Sequence, residues 1–182
     1  MDISALVDVY VKEIPRGSIC FSEKVFRWCS LPYPNHPDGC PNYGKKALCP
    51  PNTRILASEL DTYTNFYLIY GKFQFGKYVS EMQQRHPTWT KKQAACLLYW
   101  QGSLRRMMKE FIAKVCKRNE NNDLYLFTSG SGMRGSFSNH LGQNKYYSME
   151  AAGINVFKTL KRNSIKFEVK PKTTILNVNL LC

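Results

Sequence analysis

Residues 29–53 read CSLPYPNHPDGCPNYGKKALCPPNT, a stretch that holds six of the nine prolines in 182 residues. Such a segment is all turns. A loop this long in a compact domain is either functional or disordered. Cys29, Cys40 and Cys49 lie in it at spacing C-x10-C-x8-C, which favours order around a ligand. Proline suits that role because it lowers the entropy lost when the loop is fixed.

Thiolates bind soft or borderline metals, and one loop can fold three of them around a single centre. Two metal readings compete. Structural zinc would take Cys29, Cys40 and Cys49 with His36 as fourth ligand. A 4Fe–4S cluster on the three cysteines would leave one iron without a protein thiolate. Cys20 is the runner-up fourth ligand. The bland alternative is three ordinary buried thiols. Seven cysteines is an odd number, which argues against a closed disulfide framework.

The rest of the chain reads as one layered domain, residues 1–182, of α/β or α+β type, with a central sheet, packed helices and the long Cys/Pro-rich loop. Strands are expected at 5–12, 65–73, 123–128, 164–169 and 174–181. Short helices are expected at 55–62 and 76–86, the latter stopping before Pro87. Thr90 and Gln93 form a capping box, and apolar residues from Ala94 to Val115 recur at helical spacing, so one long helix is expected over 91–117. Ser148 is expected to cap a helix running to Lys161, with Glu150 at its positive end. Cys96 and Cys116 are expected buried on the long helix, and terminal Cys182 frayed. No apolar stretch approaches membrane-spanning length. The acidic residues Asp2, Asp8 and Glu13 do not suit a secretory leader, so the cytoplasm is the expected compartment.

Lys and Arg outnumber Asp and Glu 26 to 13, a net charge of +13, and the surplus is uneven. Residues 1–52 hold six basic and five acidic groups, whereas 77–118 hold ten and two. Such a field attracts polyanions, nucleic acid and with it RNA first among them, although a solvated lysine face would look the same. Trp89, Tyr99, Trp100, Arg105 and Arg106 interleave aromatic and basic groups, as base-stacking surfaces do. Trp100 is the one expected in the core. Gly130, Gly132 and Gly135 follow a strand with Arg134 among them. Their N–H groups suit an anion nest in which Arg134, Gly130 and Gly132 hold a phosphate or carboxylate beside the metal. The plain alternative is a tight turn.

GCPNYGKKALCPPNTRIL, HPTWTKKQAACLLYWQGSLRRMMKEF and YYSMEAAGINVFKTL together resemble a family of predicted metal-binding proteins, domain of unknown function 2284, in its archaeal-type members. The resemblance runs from about Val25 to the last strand. It implies that Cys29, Cys40 and Cys49 are metal or cluster ligands, and it supplies no reaction. Many members carry a second cysteine cluster after the strand that ends here at Thr128. This chain has GSGMRGSFSNH there instead, so one centre is expected rather than two. The leading expectation is an iron–sulfur protein acting on an anionic substrate by redox or sulfur-transfer chemistry. The alternative is a basic nucleic-acid-binding module with a structural zinc loop.

Overall fold

Aromatic and β-branched residues dominate the segment that organises the sheet, β2 (Tyr67–Phe73), as a strand covered on both faces requires. It pairs antiparallel with β1 (Val7–Glu13) on one side and with β5 (Ile175–Leu181) on the other. Beyond β5 lie β3 (Leu126–Thr128) and β4 (Tyr146–Ser148), giving the order β1-β2-β5-β3-β4. Only the β3–β4 pair is parallel, so the sheet is mixed. These statements rest on a computed structural model that describes residues 2–32, 36–119, 123–130 and 146–182. The α/β class and central sheet agree with the expectation from sequence.

Side chains leave the sheet alternately, and each face has its own core. Ile69, Phe73, Leu126 and Leu181 face the helices, among Tyr78, Trp100, Leu104, Met108 and Ile112. Those helices are α1 (Phe75–Arg85), α2 (Lys91–Ala94) and α3 (Gln101–Arg118). Leu68, Phe127, Val178 and Leu180 face the other way, onto Ile14, Leu60, Met149, Ile154 and Leu160. That second cover is made of 3-10 turns, loops and the short α4 (Val156–Arg162).

Several expectations are corrected. The helix over 91–117 is broken. Its capping box forms as expected, with Thr90 and Gln93 satisfying each other, but α2 stops at Ala94. A 3-10 turn at Leu97–Tyr99 follows before α3 begins. The break lets Trp100 turn into the core, where its Nε1–H donates to the Ala95 carbonyl at 3.2 Å. Leu97 and Leu98, assigned to the apolar stripe, are left 47% and 80% exposed, while Ile112 and Cys116 take buried places. Cys96, at the break, is only half-buried.

The helix expected from Ser148 is two elements, a turn at Glu150–Ala152 and α4, which Asn155 caps through Lys158 N–H. Residues 58–62 make a 3-10 turn within the expected helix at 55–62. Residues 164–169 join no strand. There Glu168 bends back and accepts N–H bonds from Lys172, Thr173 and Thr174. Cys182 is not frayed: it is buried and exchanges both backbone hydrogen bonds with Tyr125.

Candidate metal centre

Cys29 is the last residue but one of the turn Glu23–Ser30, which Ser22 caps by accepting from Lys24 N–H. Cys40 returns to it directly, its N–H donating to the Cys29 carbonyl at 2.7 Å. That approach requires glycine at 39. Its φ is +83°, and a Cβ there would sit 2.5 Å from the Cys29 carbonyl oxygen. Cys49 is reached by a loop closed on itself, with Gly44 N–H on Pro50 O at 2.8 Å and Cys49 N–H on Lys46 O at 3.0 Å. Cys49 is buried; Cys29 and Cys40 are half-buried.

What anchors this loop lies a hundred residues on. Ser22 N–H donates to Gly153 O at 2.8 Å and Asn155 N–H to Cys20 O at 2.6 Å. On the other side Leu56 N–H donates to Ala152 O at 3.1 Å. Gly153 has φ +78°, and a Cβ there would meet Ile55 at 2.8 Å. Residues 148–155 are therefore a clasp that both ends of the cysteine segment grip. The turn inside the clasp opens at Glu150 and is capped by Ser148 Oγ, which accepts from Ala151 N–H at 3.1 Å.

Burial pushes the Cys29 thiol up to about 11, and the neighbouring Cys40, Glu150 and Cys49 push in the same direction. The three thiols and the Glu150 carboxyl thus share one electrostatic neighbourhood. Burial also raises the Glu150 carboxyl, opposed by hydrogen bonds from its own N–H and from Gly130 N–H. Among the described residues, no three His, Cys, Asp or Glu side chains converge closely enough to hold a metal ion. The donor set nevertheless fits the implied group in its chemistry. Three sulfurs with one oxygen nearby suit zinc or an iron–sulfur centre and do not suit magnesium or calcium.

His36 is half-buried and lines a 350 Å³ cavity with Asp38, Cys40 and Tyr43. Gly130 has φ +70°, and its N–H holds the chain's own Glu150 carboxylate. Arg134 and Gly132 lie outside the described residues. Cys20 Sγ donates to Ser18 O. Cys116 and Cys182 are raised by burial to about 11 and about 12, the behaviour of inert core thiols. All seven cysteines are free.

Glu150 and Asn179 are the residues that sequence reasoning missed. Glu150 was expected to serve a helix dipole; Gly153, three residues later, was the signal that the turn ends and the chain redirects. Asn179 is fully buried in β5. Its Oδ1 accepts Ser129 N–H at 3.1 Å, and its Nδ2 donates to Asn177 Oδ1 at 3.0 Å and to Ile69 O at 3.3 Å. It therefore fixes the turn that presents Gly130 to Glu150. No pattern in the sequence distinguishes it.

The family model for predicted metal-binding protein (DUF2284) matches residues 12–181. No curated protein and no solved structure matches the chain.

Proposed function

The chain belongs to the family of predicted metal-binding proteins, and from that premise we propose that Cys29, Cys40 and Cys49 hold its metal as a 4Fe–4S cluster. The observation that supports this reading is that one short loop carries all three thiols, with the Cys40 backbone bonded directly to that of Cys29, in a chain of a predicted metal-binding family. Three thiolates on four irons leave one iron to a non-cysteine ligand. When bound, such a group supplies a Lewis-acid site or a one-electron couple.

The protein's own part is to position and to shield. The Gly39 contact holds the Cys40 backbone against that of Cys29, and the 148–155 clasp keeps the loop ends together. Cys29 must lose its proton to ligate, so metal uptake releases protons and rises with pH. The net charge of +13 draws an anionic substrate, on which redox or sulfur-transfer chemistry would act. Among the described residues no helix is long and apolar enough to cross a membrane. Seven free thiols suit a reducing compartment, the cytoplasm.

A second reading is a structural zinc site on a non-enzymatic nucleic-acid-binding module. It is favoured by the cavity that His36 shares with Cys40, since imidazole completes a three-cysteine zinc site. Anaerobic purification with iron, zinc and acid-labile sulfide analysis separates the two. A brown protein with iron and sulfide in equal amounts supports the cluster, and a colourless protein with one zinc supports the module. Metal content unchanged after Cys29, Cys40 and Cys49 are all replaced by Ser would overturn both.

A further inference from the structure

Around α2 the chain leaves a set of groups that the thiol loop does not use. The His86 and Trp89 rings stack at 4.1 Å and 15°, and Trp89 and Tyr99 at 5.2 Å and 24°. The column is built by the two ends of α2, His86 and Trp89 before it and Tyr99 after it. It is held by the Trp89 N–H bond to His86 O and by the Thr90–Gln93 capping box. Its outer rings face water. His86 is exposed, and Tyr99 keeps 53% of its surface accessible beside Leu98 at 80%.

The same short helix, α2, that joins the two halves of this column also carries two lysines of a groove. A groove of about 440 Å³ runs between α1, α2 and the turn at 171–172, with Lys91, Lys92 and Lys172 in its walls and no carboxylate lining it. Glu168, close by in the chain, is a carboxylate bonded to the N–H groups of Lys172, Thr173 and Thr174, so the three lysines keep a positive surplus over it. Ten cations and only two carboxylates lie between residues 77 and 118. Among the described residues the ion pairs are Arg16–Asp61 and Arg54–Glu59, and neither involves Lys91, Lys92 or Lys172.

We propose that this face binds single-stranded nucleic acid, with a base stacking on the His86–Trp89–Tyr99 column and phosphates lying in the Lys91–Lys92–Lys172 groove. The proposal deepens the reading of an anionic substrate, and the face itself needs no metal. Fixed planar rings at the ends of α2 and lysines on it that join no ion pair match the two parts of a nucleotide, an apolar plane and a charged link. The strand is single because a duplex hides the faces of its bases, whereas an unpaired segment can offer them to a protein ring.

The test is fluorescence anisotropy with a labelled twelve-residue oligouridylate, competed by a hairpin duplex and by inorganic polyphosphate, which has charge without bases. The expected result is binding that weakens linearly in log salt and resists the duplex. Tyr99→Ala should weaken the oligonucleotide about tenfold, as loss of one stacked base does, while polyphosphate binding stays unchanged and Tyr99→Trp restores affinity. Lys91→Glu with Lys92→Glu should weaken both ligands and flatten the salt slope. Circular dichroism confirms that each variant is folded. The same affinities are expected when Cys29, Cys40 and Cys49 are all Ser, so failure of the metal reading and failure of this one are separable.

Three results would overturn the proposal. One is no binding at low salt. Another is equal loss of oligonucleotide and polyphosphate on Tyr99→Ala. The third is self-association that Tyr99→Ala abolishes without any oligonucleotide binding, which would assign the face to a second copy of the chain.

Discussion

The two covers of the sheet solve the same burial problem by different means. On one side α1, α2 and α3 present repeating apolar residues, and their hydrogen bonds are mostly local. On the other, 3-10 turns and loops are held by single long-range bonds such as Ser22 to Gly153 and Leu56 to Ala152. The irregular side carries the three thiols and Glu150. A helix repeats one geometry and displays side chains at fixed intervals. Gathering three sulfurs from turns at 29, 40 and 49 needs backbone freed from that interval. The lesson is that the side with least periodic structure can be the most determined, because each of its long-range bonds has no substitute.

Core truncation gives the largest contrast. Phe127→Ala on the loop side and Ile112→Ala on the helix side, both fully buried, should each cost about 2–5 kcal/mol in urea unfolding. Only Phe127→Ala should also lower metal content in folded protein. Equal metal content in the two variants would break the distinction between the covers.

A glycine swap tests it more finely, because one substitution should have opposite signs on the two sides. Gly39→Ala forces a Cβ onto the Cys29 carbonyl at positive φ, and should cost roughly 1–3 kcal/mol and lower metal content. Gly102→Ala, in α3 with no heavy atom within 4 Å of the added carbon, should gain about 0.4–1 kcal/mol with metal content unchanged. Thermal melts of the two proteins decide it.

The smallest effect concerns the 168–174 turn. Four hydrogen bonds, including one from the Thr173 hydroxyl, hold the Glu168 carboxyl down to about 2, against 4.5 ordinarily. Because the folded value is the lower one, the stability it contributes is fully present above pH 4.5 and disappears as pH falls through about 2. Glu168→Gln should therefore be less stable than the parent at pH 7 and approach it near pH 2, read as urea midpoints. A gap that does not close on acidification would show that the charge of Glu168 does not hold this turn.

What could be read from the sequence follows the same division. β1, β2, α1 and the Thr90 capping box were legible because alternation, a following proline and a three-residue cap are local signals. The expected helix over 91–117 missed its break because Leu97 and Leu98 keep helical spacing. The competing gain, burial of Trp100, depends on Phe73 and Phe75, which belong to another part of the chain. The thiols announced their chemistry by residue type and by the prolines around them. Their anchors did not: the Gly153 and Ala152 carbonyls are backbone groups, which carry no sequence signature. For the same reason Glu150 passed as a helix-end carboxylate, although the thiol it influences, Cys29, lies about a hundred residues earlier.

The sheet order sets the timetable of assembly. β5 is the last strand in chain order, yet it stands third of five, joining β1 and β2 to β3 and β4. During synthesis the earlier strands emerge as two separate pairs with an unfilled slot between them. Asn179, which orients Ser129 and so Gly130, arrives with that final strand. The turn that presents Gly130 to Glu150, beside the thiol loop made near the start of the chain, therefore waits for residues 175–181 to take their place in the sheet.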